Sequence, residues 1–341
     1  MRLHWLLVVF ILLCSVNTSL SQETHWNYGD AGPDVWEDSY AACQGMVQSP
    51  INIQTACTVY NAYPAFQLSS ATNVVQNFTI TNDGHTITAS QVDKTAFPLT
   101  LSGGGLNGTY EFVNFHLHWG QNYKSGSEHQ INSENYAGEI HCVYLNSAIN
   151  QYAVLGIFIQ TIKSNSSSSE STGHKRKKRK TKRETINTNN DTLAAWEQYF
   201  STADPLNDTN ESAGISLQLS TLMNTNLNNF YRYSGSLTTP PCSENVIWSV
   251  FQTPIQISDD ELEMFRLDIF SENFRNPQPL NKRIVYRSFP NDTSPSKYQY
   301  TCCTSTEGKD SRGSILIYQS YLWIFHVAQW MYRMLNQLPI P

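Results

Sequence analysis

Phe115-His116-Leu117-His118-Trp119-Gly120 sets two histidines two residues apart in an apolar, aromatic run that reads as a β-strand. Side chains alternate between the faces of a strand, so His116 and His118 project the same way. Two imidazoles on one face are two-thirds of a three-histidine metal site. The run Ile140-His141-Cys142-Val143-Tyr144 offers a third, His141, if it forms the neighbouring antiparallel strand. Three neutral nitrogen ligands leave one position on a zinc ion open, as a catalytic zinc requires. A His-x-His pair is a weak signal by itself, because histidine has many other roles in a strand. The surrounding sequence has to carry the weight.

The chain has 341 residues, enough for one large domain with additions. Residues 1–21 open with Arg2, continue through an apolar core to Cys14 and end in small polar residues from Ser15 to Ser21. That layout predicts a secretory signal peptide. Secretion implies an oxidising compartment, where cysteines pair. Cys14 leaves with the signal, and the spacing of Cys43, Cys57, Cys142, Cys242, Cys302 and Cys303 does not give their pairing. Asn-x-Ser/Thr sequons at Asn77, Asn107, Asn165, Asn190, Asn207, Asn210 and Asn291 fit a glycosylated surface.

From Thr24 to Phe289 the chain carries many short runs rich in Val, Ile, Thr, Tyr and Phe, separated by Gly, Asn and Pro. Phe78-Thr79-Ile80, Thr86-Ile87-Thr88, Glu111-Phe112-Val113, the run Val154 to Ile159 and the run Val246 to Val250 are examples. Helical patterns are few: Leu193 to Phe200, and Asp259 to Phe270, which Ser258 would cap. The pattern predicts a sheet-dominated α+β domain without internal repeats.

Residues 163–190 break the pattern. A Ser-rich stretch leads into a basic run from Lys175 to Arg183, predicted to be a disordered surface insertion. The run carries +8 against a chain net of −6, so the remainder stands at −14. An acidic body with one basic loop fits a solvated insertion, a contact for polyanions such as glycosaminoglycans or acidic matrix, or a basic cleavage site. Nothing points to nucleic acid. Residues 290–341 form a polar tail that ends in an apolar segment, 315–331, interrupted by Gln319, Ser320, His326 and Gln329. It falls short of about 20 clean apolar residues. An unstructured tail, an interfacial helix, a poor spanning helix and a lipid-anchor signal all remain open readings.

Further blocks accompany the two histidine runs. Gly126-Ser127-Glu128-His129 and Glu139-Ile140-His141 lie between and within them. Gln48-Ser49-Pro50-Ile51-Asn52-Ile53, Ser236-Leu237-Thr238-Thr239-Pro240-Pro241, Asn273-Phe274-Arg275 and Gln278-Pro279-Leu280-Asn281-Lys282-Arg283 flank them. In this order, and with Asn114 to Gly120, they resemble the α-class carbonic anhydrases over about Thr24 to Phe289. The resemblance implies a large, twisted, mostly antiparallel central β-sheet with short peripheral helices. It also implies reversible hydration of carbon dioxide to bicarbonate and a proton by zinc-bound hydroxide. One catalytic Zn²⁺ would be held by His116, His118 and His141.

Other roles follow from the same resemblance. Thr238 would accept from the zinc-bound hydroxide and donate to Glu128. Asn114, where the family usually has Gln, and Glu139 would orient ligand histidines. His85 would shuttle the proton, and Tyr28 would help order the water chain. Asn is frequent in the family where Asp83 and Thr88 stand, which bears on the shuttle rate. Val143, Val154, Leu237, Thr239 and Trp248 would line the pocket for carbon dioxide. Cys43 and Cys242 would form the disulfide of the family's extracellular members. Cys142 would be buried and free, and Cys57 has no evident partner.

The expected setting is extracellular, secreted or anchored at the cell surface through 315–331. The bicarbonate would serve pH control, ion transport or carbonate mineral. A non-catalytic binding protein on the same fold is the main competing reading, and the presence of all three histidines weighs against it. A metal-dependent hydrolase lacks a recognisable substrate cleft. Deleting Lys175 to Arg183 is expected to leave catalysis intact and to lower the salt at which the protein elutes from heparin. An unchanged elution profile would count against the polyanion contact.

Overall fold

Buried and exposed residues alternate along Gln76–Asn82 and Ile87–Gln91, the signature of strands with one face on a core. Gly138–Asn146 and Gln151–Ile162 do not alternate, because nearly every residue in their middle is buried. Strands covered on both faces read as continuous apolar runs. In the computed structural model, which describes residues 25–162, 190–270 and 272–290, these segments belong to one sheet of 13 strands. The expected signal peptide, the basic run, the apolar segment 315–331, Asn165, Asn291, Cys302 and Cys303 lie outside the described residues.

Across the sheet the order is Ser212–Leu217, Gln76–Asn82, Ile87–Gln91, Tyr110–Trp119, Gly138–Asn146, Gln151–Ile162, Val246–Phe251, Phe230–Gly235, Tyr286–Arg287 and Val59–Tyr60. Ile255–Ser258 adds to the long strand Gln151–Ile162, and Phe66–Leu68 and Thr100–Gly103 add to Tyr110–Trp119. Most pairings are antiparallel, as expected. The parallel ones join Gln151–Ile162 to Val246–Phe251 and Ile255–Ser258, and Tyr286–Arg287 to Val59–Tyr60.

The sheet separates two cores. One face packs Phe115, Leu117, Trp119, Ile140 and Leu155 against the helix Asn190–Ala203. That helix presents Trp196, Tyr199, Phe200 and Ala203, all buried and spaced to share one side. The helix Asp259–Asp268 adds Leu262 and Phe265. Its start carries a capping box: Ser258 caps the first turn and the Glu261 side chain returns to the Ser258 backbone. The other face gathers Val143, Val154, Phe158, Tyr233 and Trp248. No helix among the described residues is long and apolar enough to cross a membrane.

A bulge at Val113 interrupts the pairing of Tyr110–Trp119 with Gly138–Asn146. Phe112 pairs with Tyr144 and Asn114 with Val143, so Val113 is the extra residue. The bulge resets the alternation. Tyr110 and Phe112 before it and Phe115, Leu117 and Trp119 after it all enter the same core. Asn114, His116 and His118 are thereby left together on the opposite face.

Cys43 and Cys242 form a disulfide across 199 residues, with Cα atoms 4.9 Å apart. It fastens the N-terminal segment to the loop that follows Thr238. Cys142 is free and buried, and burial pushes its thiol up to about 12. Cys57, for which the sequence suggests no partner, is disulfide-bonded as well. Asn77, Asn107, Asn207 and Asn210 are exposed, and Asn190 begins a helix. Replacing Cys43 and Cys242 together by serine is expected to cost roughly 2–5 kcal/mol of stability. A urea midpoint that does not move would refute this.

Candidate metal centre

Register, more than proximity in sequence, brings the three histidines together. His116 of Tyr110–Trp119 pairs directly with His141 of Gly138–Asn146, and His118 pairs with Glu139. The three imidazoles share one sheet face, with ring centroids 5.1 Å apart for His116 and His118, 5.3 Å for His116 and His141, and 4.5 Å for His118 and His141. One ring nitrogen from each lies within 4.8 Å of the others.

Each ring is held by its other nitrogen. His116 Nδ1 donates to Asn114 Oδ1 at 3.0 Å, and His118 Nδ1 donates to the Asn273 carbonyl at 2.7 Å. His141 Nε2 donates to Glu139 Oε1 at 2.9 Å. A carbonyl or carboxylate acceptor fixes which nitrogen carries the proton. The lone pairs are therefore on His116 Nε2, His118 Nε2 and His141 Nδ1. Burial pushes the His116 and His118 imidazoles toward their neutral forms. Burial alone would raise Glu139, but the adjoining His129 and His141 hold its carboxyl well below the usual range.

Glu128 sharpens the electrostatics. It is fully buried, and its Oε1 accepts from the Arg275 backbone N–H at 2.9 Å. Its Oε2 makes no hydrogen bond and lies 3.5 Å from His118 Nε2, itself without a partner, and 3.8 Å from His141 Nδ1. Buried acceptors that converge without a donor are costly unless a cation joins them. Three neutral imidazoles beside a carboxylate fit zinc. A second cluster, His129, Glu139 and His141, is consumed by its own bonds: His129 Nδ1 to Glu139 at 2.7 Å and His129 Nε2 to Tyr233 Oη at 2.6 Å.

A sequence profile of eukaryotic-type carbonic anhydrases matches residues 31–289. The chain belongs to the carbonic anhydrase family. It is similar to carbonic anhydrase 7 of Mus musculus, with 33% identity over 287 residues covering 77% of this chain and 97% of that protein. Putative carbonic anhydrase 3 of Caenorhabditis elegans is 31% identical over 272 residues, covering 76% and 96%. Carbonic anhydrase 12 of Homo sapiens is 28% identical over 296 residues, covering 77% and 73%. Membership makes the chain a carbonate dehydratase, and carbon dioxide hydration is the reaction of the family.

The remaining candidate residues of this carbonic anhydrase surround the histidines. Val143, Val154 and Trp248 are buried in the core on the histidine face, and Leu237 packs against them. The Trp248 ring lies 4.8 Å from that of His141. Thr239 is half-buried in the turn where its carbonyl accepts from Cys242 N–H. Thr238 is buried, yet Glu128 Oε2 has no donor. The expected Thr238–Glu128 hydrogen bond is therefore not made; that oxygen faces the imidazole pair instead.

His85 stands apart from the three histidines. Its ring stacks on Trp26 with centroids 3.6 Å apart, and partial burial lowers its pKa, partly opposed by Asp83. Asp83 Oδ1 accepts from the backbone N–H groups of His85 and Thr86, while Thr88 Oγ1 donates to Asp83 Oδ2 at 2.9 Å. Asp83 and Thr88 thus lock the His85 turn together. The buried Tyr28 hydroxyl makes no hydrogen bond, and burial together with the charges of Glu128 and Asp83 keeps it protonated.

Five residues support the site in ways a reading by motif alone does not show. Asn273 holds His118 through its carbonyl and receives Trp119 N–H on Oδ1. Ser49, Tyr233 and His129 extend the chain of hydrogen bonds from Glu139. These residues stand in the quoted blocks or beside them, but no spacing rule links positions so far apart in sequence. Gly156 pairs with His141, and a Cβ there would lie 2.9 Å from Glu139 Oε1. Gly156→Ala is expected to destabilise the fold by about 1–3 kcal/mol and to weaken zinc binding. Unaltered stability and zinc affinity would exclude this contact as a constraint.

Proposed function

We propose that this carbonic anhydrase hydrates carbon dioxide reversibly with one zinc ion held by His116 Nε2, His118 Nε2 and His141 Nδ1, in an extracellular setting. The observation that carries the reading is the convergence of three lone pairs, each fixed by a buried or half-buried acceptor on the far side of its ring. Bound zinc supplies the Lewis acidity that makes water a nucleophile near neutral pH, carbonic anhydrase being the type case of that effect.

The protein's own groups do the rest. Val143, Val154, Leu237 and Trp248 offer carbon dioxide an apolar wall and exclude competing water. Thr238 makes no bond to Glu128 in the structure, and to align the attack it would turn its hydroxyl to the open Glu128 Oε2. Asn114 and Glu139 keep the ligand nitrogens unprotonated. His85 accepts the departing proton on its imidazole: its lowered pKa leaves it neutral, and so able to accept, at pH 7. Tyr28 presents its hydroxyl to the water that links the two sites.

The leader-like N-terminus and the disulfide between Cys43 and Cys242 support secretion. In that setting Lys175 to Arg183 would contact acidic matrix, and bicarbonate would serve pH control, ion transport or carbonate deposition.

Stopped-flow carbon dioxide hydration with metal analysis on the same sample tests the proposal. One zinc per chain and chelator-sensitive hydration are expected, with both lost in His118→Asn. Zinc without hydration would favour a binding protein. His85→Ala is expected to slow turnover in weak buffer by about a hundredfold, with partial rescue by imidazole. An unchanged rate would remove His85 from proton transfer.

A further inference from the structure

Arg232 occupies the strand Phe230–Gly235 one residue before Tyr233, which serves the metal centre. Alternation along the strand sends the two side chains to opposite faces. Arg232 is only 6% exposed and lies within a cage of Tyr63, Phe66 and Phe230, with its guanidinium carbon 5.0, 5.8 and 5.0 Å from their ring centroids. Its Nε and Nη2 both donate to Ser249 Oγ, the only hydrogen-bond acceptor it has among the described residues. Two of five N–H groups are thereby used. Burial draws its pKa down to about 10, and no described carboxylate pairs with it.

The guanidinium opens into a groove of about 520 Å³. Lys282 and Arg283 line the same groove, and among the described residues no aspartate or glutamate does. The Arg283 nitrogens are committed to the carbonyls of Leu280, Ser234 and Pro279, and Glu244 acts on its charge. Among the described residues no carboxylate pairs with Arg232 or Lys282. Tyr63, Tyr286 and the half-exposed Ile284 give the groove a flat apolar side. A buried cation with spare donors needs an acceptor, and an unpaired one is costly.

We propose that this groove, along the edge of the strand Phe230–Gly235, binds a small organic anion, its anionic head on Arg232 and Lys282 and its flat apolar body against Tyr63, Ile284 and Tyr286. Tyr233 borders the groove as well as supporting His129, but none of the residues assigned to the anion contacts the three histidines, so the proposal does not rest on the catalytic reading.

Isothermal titration calorimetry of 2-naphthoate into the full-length protein tests it, with neutral 2-naphthalenemethanol as control. Asn107 lies on the rim and carries a sequon, so the titration is repeated on Asn107→Gln protein. One site selective for the anion is expected, weakened about tenfold by Lys282→Gln and more by Arg232→Met. Affinity should survive His118→Asn. Should Arg232→Met fail to fold, Lys282→Gln and Arg232→Lys carry the comparison. Failure of 2-naphthoate to bind either protein overturns the proposal. So does binding that ignores both groove variants, or binding that disappears in His118→Asn, which would place the anion at the metal centre.

Discussion

Glu139 is a carboxylate with no exposure at the centre of a sheet, and the site is built around making that tolerable. Its oxygens receive His129 N–H, His129 Nδ1 and His141 Nε2. His129 passes the chain to Tyr233, and Tyr233 to Ser49. A buried network of this kind is stable only when every member is satisfied. Satisfying it fixes the tautomer and tilt of His141, keeps Gly156 free of a side chain, and ties the N-terminal segment to the strand Phe230–Gly235. The orientation of one metal-facing nitrogen thus depends on residues drawn from four distant parts of the chain.

The sheet also keeps two chemistries apart. Where the two central strands are buried on both faces, one side can be wholly apolar while the other carries imidazoles and carboxylates. The bulge at Val113 makes this possible in a single strand, since it keeps the aromatic residues before and after it in one core while Asn114, His116 and His118 face the other way. At the far edge the same alternation gives Tyr233 to the metal centre and Arg232 to a separate cationic groove. One element therefore contributes to both sites, and Tyr233 borders the groove as well as supporting His129.

The histidine pair was legible because strand periodicity is local: two residues apart means one face. The start of the helix Asp259–Asp268 was legible for a similar reason, since its cap, Ser258, adjoins it; the helix ends two residues short of the expected Phe270, and Glu261 completes the cap. The disulfide between Cys43 and Cys242 followed from family resemblance, not from spacing. Asn273 was present in a quoted block, yet its part in holding His118 was hidden, because its acceptor is a backbone carbonyl and carries no residue-type signature. Thr238 went the other way: the motif suggested a bond to Glu128 that the packing of Glu128 against His118 and His141 does not form.

Pattern along the chain was enough for the strand-rich class, the shared face of His116 and His118, the Ser258 cap of the later helix and the resemblance to one enzyme family. Each depends on residues a few positions apart or on blocks recognisable as written. Strand register and packing alone set His116 opposite His141, leave an unpartnered Glu128 oxygen beside them, and bury Arg232 with no carboxylate paired to it among the described residues. Those facts rest on strand register and on desolvation, and both are set by what the rest of the chain packs alongside.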